Sequence, residues 1–130
     1  FLSWLGQRVA SEWRTDLLVG DISAPRGGCL AGHGGRRGHF SHTSGRDVDL
    51  GFLVPSLARG PESFSRNFEL ASNFWALKAM FANPHVCVRA VFLDHRLISK
   101  LSAYAAKIGD QEWPKIAPHV RHVRGHRNHF

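Results

Sequence analysis

The sequence predicts an α+β fold, a small sheet with flanking helices, built as a single domain over residues 1–130. Three observations lead there. Leu2–Trp13 and the stretch around Leu70–Phe81 place apolar residues three and four apart, the period of a helix with one buried face. Asp47–Phe52 alternates strictly and Val86–Leu93 runs continuously in β-favouring residues. With 130 residues, 43% of them apolar and 21% charged, the chain can bury one core and has no length for two.

Each element follows from its residues. Leu2, Leu5, Val9 and Trp13 define a first short helix. Leu17–Ile22 is a short apolar run closed by Ser23, Ala24 and Pro25, which reads as a strand entering a loop. Seven of the thirteen glycines lie between Gly27 and Gly45, so that stretch is loop. Val48, Leu50 and Phe52 then share one face of a strand, and Asp47, Asp49 and Gly51 share the other. Residues 53–64, with Pro55, Gly60 and Pro61, connect to a helix whose apolar residues are Leu70, Phe74, Leu77 and Phe81 and which Asn83-Pro84 ends. Val86–Leu93 is expected as a central strand. A helix from about Arg96 to Ile108 aligns Leu97, Leu101, Ala105 and Ile108, and Gly109 stops it. Pro114 and Pro118 argue against helix beyond, and the closing residues 119–130 read as extended.

Composition narrows the function classes. Seventeen Lys and Arg against ten Asp and Glu give a net charge of +7, which suits an anionic partner. No run approaches the ~18 apolar residues of a membrane span. Gly34–Gly38 is followed by no Gly-Lys-Ser/Thr, which argues against a nucleotide loop. A nucleic-acid module would want basic residues interleaved with exposed aromatics or a recognition helix, whereas Arg36-Arg37 and the Arg121–Arg127 stretch neighbour the histidine-rich segments, so no nucleic-acid partner is expected.

Nine histidines are unusual for this length, and seven fall in two groups: His33, His39 and His42, then His119, His122, His126 and His129. A polar loop plus a basic tail would explain them; so would ligands and catalysts brought together by folding. His42 at the end of the glycine loop and Asp49 on the polar strand face are separated by six residues with a glycine turn between them, so both can reach one ion. Zinc takes imidazole nitrogen and carboxylate oxygen, and a catalytic site uses three protein ligands with one position left open.

The run Ser41–Phe52 closely resembles the signature of the penicillin-insensitive murein endopeptidases. These belong to a wider group of zinc peptidases that includes lysostaphin-type enzymes, D-Ala-D-Ala peptidases and the hedgehog signalling domain. Val19–Ser23, His39 ahead of His42, Asn73–Leu77 and Gly125–Phe130 match as well, so the resemblance extends from about Leu17 to Phe130. It implies a small antiparallel sheet with flanking helices and a Zn2+ ion held by His42 and Asp49. It also implies His129 as general base, His126 as a second active-site histidine that orients water or steadies the oxyanion, and His39 as a support nearby. The implied reaction is hydrolysis of D-alanyl amide crosslinks between peptidoglycan stem peptides, in the periplasm or outside the cell. The family's third ligand would fall immediately after Phe130, so the sequence holds two of the three. A chain truncated at both ends is the expectation, and a non-catalytic peptidoglycan-binding domain is the alternative. The start at Phe1, without Met or a basic leader, places any export signal outside this sequence.

The other polar residues have plainer readings. Asp47 either supports a ligating histidine or pairs with Arg46 or water, and Asp21, at the end of a strand, either makes a turn or lies at the site. His85 and His95 read as loop or helix-start residues, and His119 and His122 as a solvated strand face. Cys29 and Cys87 either form a disulfide or stay as thiols.

Overall fold

A computed structural model describes residues 1–22, 42, 44–55, 64 and 66–130. The chain divides into two compact units, one of residues 1–18 and 51–130, the other of residues 19–50. His39 and Cys29 lie outside the described residues, and with them the proposed support and the disulfide question.

The larger unit contains α1 (Leu2–Trp13), α2 (Leu70–Ala82), β1 (Val91–Leu93), α3 (His95–Ile108), α4 (Trp113–Ile116), a 3-10 turn (Ala117–His119) and β2 (Val120–His122). The class is α+β. α2 packs between α1 and α3, and buried Leu5 and Val9 of α1, Phe74, Leu77 and Met80 of α2, and Leu101 and Ala105 of α3 form the core. Phe74 touches both Tyr104 (centroids 5.3 Å) and Trp113 (5.5 Å), which ties α2 to α3 and α4. Seven residues of α2 are buried, polar Ser72 and Asn73 included, so this helix is central and not one-faced as its apolar spacing suggests. α3 ends as expected at Gly109, left-handed at φ 68°, whose N–H reaches back to Ala105 and Ala106. Ile108 stands 51% exposed, so the expected apolar stripe ends at Ala105.

Buried Asn73 explains how a non-helical segment is fastened to α2. Its Oδ1 accepts from the Leu53 N–H at 2.8 Å, and its Nδ2 donates to the Leu53 and Glu69 carbonyls, both at 2.8 Å. One amide thus satisfies both backbone groups of a residue that is 1% exposed.

Three further expectations are corrected. The two-stranded sheet is parallel, pairing Val91 with Val120, Phe92 with Arg121 and Leu93 with His122. α3 and α4 lie between its strands, and a crossover of that length delivers a parallel neighbour. Among the described residues, antiparallel pairing is confined to isolated bridges, Gly51 with His129 and, within the smaller unit, Val19 with Leu50. Second, the strand expected over Val86–Leu93 is confined to Val91–Leu93. Asn83 Oδ1 accepts from the N–H groups of His85 and Val86, and Nδ2 donates to the Val86 carbonyl, so that turn holds backbone groups a ladder would need. Third, Pro114 and Pro118 do not exclude helix. Each occupies a first-turn position, where a missing N–H costs nothing.

Residues 49–54 are all buried, Asp49 and Gly51 of the polar strand face included. Gly51 is required sterically. A Cβ there would lie 2.9 Å from Leu18 Cβ and 3.3 Å from Phe64 Cδ1. Its N–H donates to the Leu18 carbonyl at 2.9 Å, and on its other side the chain bridges to His129.

Candidate metal and histidine sites

Within the smaller unit, backbone pairing positions Asp49: Gly20 N–H donates to the Asp49 carbonyl (2.8 Å), and Asp49 N–H to the Asp21 carbonyl (2.9 Å). His42 and Asp49 are both buried, with 4% and 7% exposure, and Nε2 of His42 lies 3.0 Å from Oδ1 of Asp49. The opposite ring nitrogen, Nδ1, is 3.2 Å from the Ile22 carbonyl. A carbonyl only accepts, so Nδ1 carries a proton and donates. In the neutral ring Nε2 then directs a lone pair at a carboxylate oxygen. Two electron-rich atoms this close, out of water, call for a cation: a proton on the ring or a metal ion. Two ligands at 2.0–2.2 Å from a tetrahedral ion lie ~3.4 Å apart, close to the separation here. A ring that uses Nε2 for the ion while Nδ1–H donates to a backbone carbonyl is the usual arrangement of a metal-bound histidine. The residues therefore fit a divalent metal, and the Ile22 carbonyl is a participant the sequence could not single out.

The larger unit brings His126 and His129 together, ring centroids 4.7 Å apart. His129 stacks on Phe64 (5.0 Å, 21°), and its Nδ1 donates to Asn128 Oδ1 at 2.9 Å, which puts the lone pair on Nε2. His126 meets Phe92 edge-on at 5.7 Å, and its carbonyl accepts from the Asp94 N–H at 2.7 Å. Phe130 is buried against Phe52, at 5.1 Å. The segment is thus held by rings and backbone on several sides. A groove of about 450 Å³ beside it is lined by Arg66, Arg124, Gly125, Arg127 and Asn128, a setting with guanidinium donors for an anion.

A further group was not anticipated. Asp94, His95 and His122 each offer one donor atom within 4.8 Å of the others, a grouping that could hold a metal ion. His95 and His122 read in the sequence as a helix-start residue and a solvated strand residue. Their meeting depends on the register that sets His122 across from Leu93. Asp94 caps α3, accepting from the Arg96 N–H at 3.0 Å, and pairs with Arg127 Nε at 3.1 Å. The Arg96 N–H foremost, then the Arg127 side chain, hold its carboxyl below the usual 3.8. His85 and His119 have packing roles, against Trp4 and against Phe81 and the Arg89 carbonyl.

No helix among the described residues is long and apolar enough to cross a membrane. No curated protein and no solved structure matches the chain. The profile of the penicillin-insensitive murein endopeptidase family matches residues 1–81, a span that contains His42, Asp49, Gly51 and Asn73 and stops short of His126 and His129. That match covers more than half of the sequence, and with it the chain belongs to the penicillin-insensitive murein endopeptidase family, hydrolases of the peptidoglycan cell wall.

Proposed function

We propose that this chain is a zinc metallopeptidase domain, spanning residues 1–130, that cleaves D-alanyl amide crosslinks between peptidoglycan stem peptides in the periplasm or outside the cell. The observation that carries the reading is the buried approach of His42 Nε2 to Asp49 Oδ1 at 3.0 Å, with the Ile22 carbonyl behind the ring. His42 and Asp49 are the two zinc ligands in this chain. A zinc ion supplies Lewis acidity, polarising an amide carbonyl and bringing the pKa of water near 7.

The remaining steps belong to side chains. His129 is the general base: Asn128 keeps the proton on Nδ1, so Nε2 receives the proton of the attacking water and returns it to the leaving amine. Stacking on Phe64 limits rotation of that ring. His126, in contact with His129, orients the water or steadies the developing oxyanion, and His39 is a support. No Ser or Cys nucleophile enters this scheme, which accords with insensitivity to an acylating inhibitor. The net charge of +7 and the arginine-lined groove favour the anionic carboxylates of the wall.

The test uses the full-length protein. His42→Ala and Asp49→Ala are each expected to remove about one zinc per chain and cleavage of crosslinked muropeptides together. Cleavage by rigorously zinc-free wild-type protein would overturn the proposal.

A further inference from the structure

The start of α3 and the edge of β2 converge on a set of donors that the proposed peptidase chemistry leaves unused. Parallel register puts His122 opposite Leu93, beside the two residues that follow β1, Asp94 and His95. His95 Nδ1 lies 3.6 Å from Asp94 Oδ1, and one donor atom of His122 falls within 4.8 Å of both. Donors around a tetrahedral ion stand ~3.4 Å apart, so a small side-chain rotation closes the set. His95 has the room for it, with 64% of its side chain exposed.

The supports of each donor suit ligation. Asp94 divides its carboxylate: Oδ2 accepts from Arg127, while Oδ1 accepts one N–H, from Arg96, and retains a second lone pair. His122 Nδ1 lies between the His95 N–H, at 3.0 Å, and the Leu93 carbonyl, at 3.3 Å. Those two neighbours favour opposite tautomers. With Nδ1 protonated and donating to Leu93, the lone pair is on Nε2; with Nδ1 accepting from His95, the proton is on Nε2, and a side-chain rotation frees Nδ1 as the ligand.

We propose that Asp94, His95 and His122 form a second site for a divalent first-row transition ion of the zinc class, formed by residues other than His42 and Asp49, that ties β2 to the first turn of α3. Two imidazoles and one carboxylate are ligands for that class, and the exposed rim leaves coordination positions to water. Arg127 offsets part of the carboxylate charge and so weakens the site. The ion would also brace the turn after β2, because Asp94 N–H and its carboxylate hold the His126 carbonyl and the Arg127 side chain.

The experiment titrates metal-free, full-length protein with Co2+, read by visible absorption and by equilibrium dialysis, in wild type, His95→Ala/His122→Ala and His42→Ala/Asp49→Ala. The histidine double variant is expected to bind about one equivalent fewer than wild type, and to lose the rise in melting temperature that this equivalent confers. Equal uptake by wild type and that variant overturns the proposal. The peptidase reading fails on a different pair: wild-type uptake by His42→Ala/Asp49→Ala counts against it and leaves the second site standing. Both mutated rings of the second site are exposed, so loss of fold is not expected to obscure the result.

Discussion

Two groups of candidate metal ligands in one small chain differ in how they treat water. His42 and Asp49 are buried, and their facing atoms approach to 3.0 Å, so the pair calls for a proton or a metal ion between them. At Asp94, His95 and His122 only the carboxylate is buried, and the two imidazoles stand in solvent. Water can satisfy that second group without any ion. A buried polar pair must hold a proton or a metal ion, while an exposed trio can be satisfied by water. Affinity for zinc should therefore be higher at the first group, and the effect of each substitution should follow burial.

The largest expected effect is on catalysis at the buried pair. Asp49→Ala should lower the rate of muropeptide cleavage by on the order of 10³-fold or more, since several kcal/mol of transition-state stabilisation leave with the ion; a rate within tenfold of wild type would break the comparison. Next is the framework. Asn73→Ala leaves the N–H of buried Leu53 without its Asn73 acceptor and its carbonyl with only the 3.4 Å contact from Ser72 Oγ, and should cost roughly 2–3 kcal/mol in chemical unfolding. Gly51→Ala forces a Cβ against Leu18 and should cost about 1–3 kcal/mol, with loss of activity through the bridge to His129 that exceeds the loss of fold.

Half-exposed charges should matter less. Lys78 pairs with Asp110 and Glu112. The hydrogen bond from Lys78 is the main reason the Asp110 carboxyl sits below its usual 3.8, and the bond to Asp110 is the main reason the Lys78 ammonium sits above 10.5. A lowered carboxyl pKa contributes stability that is present above the unfolded value and lost as pH falls through the folded one. A raised ammonium pKa contributes stability that is complete below 10.5 and lost as pH rises through its folded value. Lys78→Met should remove about 1 kcal/mol at neutral pH, and the deficit relative to wild type should shrink at both extremes in melting curves across pH. The smallest effect is expected for His95→Ala without metal, within about 0.5 kcal/mol. A larger loss would mean that the exposed ring is part of the packing and would blur the distinction from His42.

Legibility in the sequence follows the range of the interactions involved. α1 is Leu2–Trp13 as its apolar spacing predicts, and α2 and α3 agree to within a residue or two, because helical periodicity and the Gly109 stop are local. His42 and Asp49 could be paired across a glycine loop because the residues between them act as one short linker. His95 and His122 could not, since twenty-six residues and a crossover separate them. Val86–Leu93 misleads for a related reason: β-favouring residues describe what a strand tolerates, and the side chain of Asn83 had already taken the backbone of Val86.

By itself the sequence determined α1, α2 and α3, the α+β class and the family, and it singled out His42 and Asp49 as a candidate pair, all from spacing and motifs within a few turns of chain. Tertiary structure decided that the sheet is parallel, that Asn73 fastens Leu53 to α2, that Ile22 stands behind His42 and that Asp94, His95 and His122 meet. Each of these depends on strand register or on which backbone group remains to be satisfied, and both are properties of the assembled chain.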